Sequence, residues 1–129
     1  MNIYRDFSTP SSRLVGHWKI IPNKKTKTQI EHLFTPIDPQ SGVGQWIQRS
    51  TTVNKPNKDK VHLMLYRIKK EDTQGTFLLI EMEIAPGLGG DVDMEIDKDG
   101  KTGRMYLKEL KHEGPIMIYV DDKTPYGKR

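Results

Sequence analysis

Asp91-Val92-Asp93-Met94-Glu95-Ile96-Asp97 alternates an acidic with an apolar residue at every step. Successive side chains of a β-strand point to opposite faces, so this stretch describes a strand with one dry and one wet face. Asp99-Gly100 follows, a pair that favours the tight turn of a β-hairpin, and Lys101–Leu110 supplies the returning strand. Glu113-Gly114-Pro115 turns the chain again into Ile116–Asp121.

The same grammar runs upstream. Short runs rich in β-branched and aromatic residues, bounded by Gly, Pro, Asn and Asp, occupy Leu14–Ile21, Thr28–Ile37, Val43–Thr52, Val61–Lys69 and Thr76–Ile84. The connections are Pro22–Lys27, a turn cluster from Pro36 to Gly42, a lysine-rich link from Asn54 to Lys60, Glu71–Gly75, and Pro86-Gly87-Leu88-Gly89-Gly90. About eight strands result, with no helical stretch long enough for a parallel crossover. Antiparallel meanders of this kind remove their edges by closing into a barrel. The expected fold is all-β, a single up-and-down antiparallel barrel over residues 14–122, with an irregular arm at 1–13 and a tail at 123–129.

Composition agrees with that expectation. Of 129 residues 34% are apolar and 29% charged, and Ala85 is the single alanine, which argues against helical architecture. The length suits one domain. The absence of cysteine excludes disulfides, zinc–thiolate sites, iron–sulfur clusters and thiol catalysis. Mean hydropathy is −0.70, and no run approaches the roughly 20 apolar residues of a helical membrane span. Residues 1–13 lack the basic-then-apolar order of a signal peptide, so the expected compartment is the cytoplasm, or outside the cell for a chain whose leader has been removed. The net charge of +4 permits contact with anionic partners without demanding it.

Within the first strand stands Leu14-Val15-Gly16-His17-Trp18-Lys19-Ile20. Gly16 and Trp18 share a face, so Gly16 leaves room beside a large indole at the barrel floor. Here the sequence resembles the lipocalin and fatty-acid-binding group of barrels, the calycins, and within it the pared-down bacterial lipocalin-like domains. The resemblance implies that Gly16 and Trp18 mark the first barrel strand and that Trp18 closes the lower end. It also implies a late arginine stacked on the tryptophan. The last strand offers none, which leaves Arg104 on the preceding strand for barrel closure. The T-D-x-x-Y-type motif and terminal helix of secreted lipocalins, and the helical pair of fatty-acid-binding proteins, are missing.

Strand parity nominates Trp18, Ile30, His32, Phe34, Tyr66, Ile80, Met82, Met94 and Met105 as cavity-lining residues, with Ile68, Leu78, Ile84, Val92, Ile96 and Leu107 on the same faces. His32 and Tyr66 are the polar groups best placed to orient a ligand, or Arg49 and Arg67 in the opposite parity. Met64, Met82, Met94, Met105 and Met117 fall one to a strand, and methionine is an adaptable lining for varied apolar ligands or a filler of gaps. Val43–Thr52 and Val61–Lys69 carry apolar residues on both faces, which suggests a homodimer or the 1–13 arm packed outside.

Other constellations have plainer readings. His17, His32, His62 and His112 stand singly, without metal-ligand spacing. Glu95, Asp97, Asp99 and Gly100 fall in calcium-loop register, but Tyr106 occupies the place of the bidentate Glu. Gly87-Leu88-Gly89-Gly90 precedes a strand, not a helix, and is no phosphate loop. Glu81 and Glu83 alternate with apolar residues and belong to a wet face. Lys24–Lys27 and Lys55–Lys60 lie near Trp46 and Tyr66, as in oligonucleotide-binding barrels, yet the acidic strands oppose nucleic acid. No catalytic residue, metal or cofactor is expected. The leading expectation is noncovalent binding of a small apolar or amphipathic molecule inside the barrel, and the alternative is a filled barrel acting as a structural or protein-interaction module.

Overall fold

The computed structural model describes residues 9–20, 28–52, 55–72, 75–107 and 112–120. A one-turn helix α1 (Pro10–Leu14) leads into β1 (Gly16–Ile20), β2 (Thr28–Phe34), β3 (Gly44–Thr52), β4 (Lys55–Glu71), β5 (Phe77–Ala85), β6 (Leu88–Ile96), β7 (Thr102–Leu107) and β8 (His112–Tyr119). Each strand is antiparallel to the next, and β8 returns to β1 through Trp18↔Tyr119 to close an eight-stranded up-and-down barrel. Alternation decides which side chains fill it. Trp18, Phe34, Trp46, Tyr66, Leu78, Ile80, Met94, Ile96 and Met117 all point inward into one core cluster.

The acidic alternation of β6 reads as expected. Val92, Met94 and Ile96 are buried inside, and Asp91 is exposed outside. Asp93, between its register partners Leu79 and Tyr106, is buried despite facing outward. The Asp99-Gly100 hairpin also forms, with Gly100 at φ 68° and its N–H donating to Asp97 O at 2.8 Å.

Several boundaries differ from expectation, each for a local reason. Residues 10–14 are helical, not part of an irregular arm or of the first strand. Thr9 caps the turn by accepting from Ser12 N at 3.2 Å, Thr9 N donates to Ser12 Oγ at 3.1 Å, and Pro10 occupies the first turn. β2 stops at Phe34, before the anticipated Ile37. The lysine-rich link 54–60 is largely strand, since β4 begins at Lys55, with a register shift opposite Ser50 and Thr52. Pro86-Gly87 alone makes the β5–β6 turn, so Gly89 and Gly90 belong to β6. Glu113-Gly114-Pro115 lies inside β8, where the β7–β8 register shifts between Arg104 and Tyr106. The lysines at 24–27, the arm 1–8 and the tail 123–129 lie outside the described residues.

The two ends of the barrel are unlike. At one end α1 packs against β4, β5 and β6. Ser11 N donates to Glu71 Oε2 at 3.0 Å and the Arg13 guanidinium to Gly75 O at 2.6 Å. This is the closed end. The opposite end carries the Pro86-Gly87 turn.

Candidate functional site: the barrel interior

At the closed end Trp18 is fully buried. Its Nε1 donates to Leu14 O at 2.7 Å, tying the first strand to the helix that plugs the barrel. The Tyr119 ring meets the indole edge-on, with centroids 5.4 Å apart. Gly16 explains how the tyrosine fits: at φ 128°, a Cβ there would sit 2.6 Å from the Tyr119 ring. Tyr119 therefore takes the place expected for Arg104. Arg104 stands outside, because its neighbour Met105 faces the core, and it lies beside Glu95 and Tyr106. Tyr106 Oη donates to Glu95 Oε2 at 3.0 Å, and that bond raises the phenol's pKa.

Around the indole lies an aromatic cluster. Phe34 packs on Trp46 at 5.0 Å and on Tyr66 at 5.6 Å between centroids. Tyr66 and His32 face inward as expected, but both are already bonded to the protein. Tyr66 Oη donates to Thr35 O at 2.6 Å, and burial pushes its pKa up. Trp46 Nε1 donates to His32 Nδ1 at 2.9 Å, and burial pulls the imidazole down from 6.5 to about 4. A tryptophan N–H can only donate, so the neutral ring carries its proton on Nε2. Among the described residues nothing accepts from that Nε2–H.

Toward the other end the filling thins. Along β2 the inward residues pass from buried Phe34 and His32 to half-buried Ile30. Along β4 they pass from buried Tyr66 and Met64 to exposed His62 and Lys60, and along β5 from Leu78 and Ile80 to half-buried Met82. Trp46 on β3 gives way to half-buried Gln48 and Ser50. Gly90, paired with Met82 and facing inward, has nothing within 4 Å of where a Cβ would stand. Among the described residues the wall from β2 to β6 is therefore more open at this end than at the floor, while Ile20 on β1 stays buried. The open end is polar on β3–β4 and apolar on β5.

The nominated lining residues thus sort by depth. Trp18, Phe34 and Tyr66 belong to the filled floor; His32, Ile80, Met94 and Met105 form the middle; Ile30 and Met82 stand toward the other end. Ile84 was expected inside but is 53% exposed, at the register shift between Glu83 and Ala85 near the end of β5. Arg49 and Arg67 point outward, since their neighbours Trp46, Gln48 and Tyr66 set the inner parity. Gln48, Gly90 and the Trp46–His32 bond were not anticipated, because each depends on cross-strand register.

Outside, Val61 and Leu63 are 62% and 55% exposed and form an apolar stripe with Leu65 on β4. Glu81 is exposed and Glu83 half-buried, both outward, so they form no enclosed acid–base pair. Glu31, buried on the outer face, has His17 Nε2 at 3.7 Å and Lys19 Nζ at 3.9 Å. No group of three or more His, Asp or Glu side chains among the described residues could hold a metal ion.

Comparison with protein-family models, with curated proteins and with solved structures found no match for the chain.

Proposed function

We propose that the protein binds a small apolar or amphipathic molecule noncovalently in the open half of a lipocalin-like barrel. One observation carries this reading: inward side chains of β2–β6 grade from buried to half-buried or exposed toward one end, where Gly90 leaves space, while the other end is plugged by α1, Trp18 and Tyr119. A cup closed at one end excludes water from the bound molecule and admits it from the other. Affinity would come from desolvation, at roughly 25 cal/mol per Å² of apolar ligand surface removed from water. Met82, Met94, Met105 and Met117 suit that wall, since methionine adjusts to ligand shape.

Native mass spectrometry of protein taken gently from cells tests the reading, together with a crystal structure of the same sample. A co-purifying apolar adduct, with density above His32 or an interior cavity above roughly 300 Å³, is the expected result. A tightly packed barrel without adduct overturns it, and leaves the apolar stripe on β4 as the feature through which an interaction module would work.

A further inference from the structure

We infer that the interior site selects an uncharged molecule bearing a hydrogen-bond acceptor, a ketone, ester or amide carbonyl on an apolar body, which the Nε2–H of His32 holds. The inference rests on the carrier reading above and adds the polarity of the ligand.

Three of the inward N–H and O–H donors are already committed. Trp18 Nε1 goes to Leu14 O, Tyr66 Oη to Thr35 O, and Trp46 Nε1 to His32 Nδ1. His32 is buried, faces inward between its register partners Trp18 and Gln48, and has no acceptor for Nε2–H among the described residues. His32 Nε2 is not among the fully enclosed polar atoms that lack a partner, so it keeps an opening, and a ligand carbonyl can accept from it there. The half-buried carboxamide of Gln48, directly across from His32, offers a second neutral group.

Charge excludes the carboxylate analogue. Arg49, Arg67 and Arg104 lie on the outer face, and the Arg13 guanidinium is held at the closed end by Gly75 O. Lys60, exposed at the open end, is the deepest inward-facing Lys or Arg among the described residues. The imidazole supplies no charge either, because burial keeps it neutral at physiological pH. An anion at the depth of His32 would lose its hydration without gaining a countercharge from the described residues.

Calorimetric titration of the whole chain with 2-octanone, octane and octanoate at pH 7.5 tests this. The ketone should bind about tenfold more tightly than either of the others, as one hydrogen bond to a buried donor predicts. His32→Phe should collapse the ratio of ketone to octane affinity toward one, whatever it does to the two affinities together. A nitrogen-15 spectrum of the wild-type imidazole, which needs no variant, should show the Nε2–H signal move with 2-octanone and stay with octane. Equal binding of ketone and octane, or tighter binding of octanoate, overturns the inference while the carrier reading stands. Failure of all three to bind a barrel that crystallises filled overturns both.

Discussion

Lowering the pH should unfold this protein in a way that can be traced to one ring. His32 in the folded barrel titrates near 4, against 6.5 for the free side chain, because burial disfavours the imidazolium. The folded state therefore prefers the neutral ring. Its contribution is fully present above pH 6.5. It declines as the unfolded chain begins to bind a proton that the folded chain refuses, and it is gone once the pH has fallen through 4. The gap corresponds to about 3 kcal/mol in all, and to about 2 kcal/mol between pH 6.5 and 5. Against a total stability of about 5–15 kcal/mol, that is large enough to measure. Urea unfolding followed by circular dichroism at pH 7.5, 6.5, 5.5 and 5 gives the wild-type slope, which also contains the carboxylates. His32→Gln keeps a carbonyl oxygen to accept from Trp46 Nε1 but cannot titrate, so the difference between the two slopes isolates the ring. Parallel loss of stability in the two proteins would refute the argument. So would a nitrogen-15 spectrum showing wild-type His32 protonated at pH 5.5, a readout that stands even where the variant folds poorly.

Truncating the fully buried indole in Trp18→Ala should destabilise by about 3–5 kcal/mol in the same unfolding assay. Gly16→Ala should cost at least about 2 kcal/mol, since it combines a left-handed φ with a Cβ placed against the Tyr119 ring. The neighbouring glycines of β6 should behave oppositely. Gly89→Ala drives a Cβ into Met82 O and should unfold the barrel, whereas Gly90→Leu extends into open interior, preserves the melting temperature within a few degrees and abolishes ligand uptake measured by native mass spectrometry. Tyr66→Phe loses the bond to Thr35 O and should destabilise by about 1 kcal/mol, with secondary structure unchanged by circular dichroism.

Much of the architecture is written in alternation. Residues 91–97 and 80–83 state their parity openly, because one face is acidic and the other apolar, and Gly16 with Trp18 marks the first strand and the floor. The departures arise where one residue type serves two structures. Thr9, Pro10, Ser11 and Ser12 are turn formers and also helix starters, and the capping bonds decide for a helix. The lysines before Val61 look like a solvated loop but lie on a strand extending a hairpin, where nothing apolar is required of them. Val43–Thr52 and Val61–Lys69 have no single dry face, so only the register with β2 and β5 shows that Trp46, Met64 and Tyr66 point in and Val61 and Leu63 point out. The site was legible in its inward residues and opaque in its chemistry. His32 and Trp46 lie 14 positions apart, and no local pattern announces that one indole fixes the tautomer of the ring beside it. Tyr119 in place of Arg104 is likewise a property of the β1–β8 seam.

That seam has a kinetic meaning. Seven of the eight pairings join strands adjacent in the sequence and can grow hairpin by hairpin, whereas Trp18↔Tyr119 brings together residues roughly 100 positions apart, a loop whose closure is slow. Until it closes, β1 and β8 are two bare edges, and their backbone groups are open to any other unfinished chain. The ring of Tyr119 in the space left by Gly16, and Val120 N donating to His17 O at 2.8 Å, act as the clasp that ends this exposure. The two residues that shape the floor of the cup are then also those that set how long each new molecule spends vulnerable to aggregation.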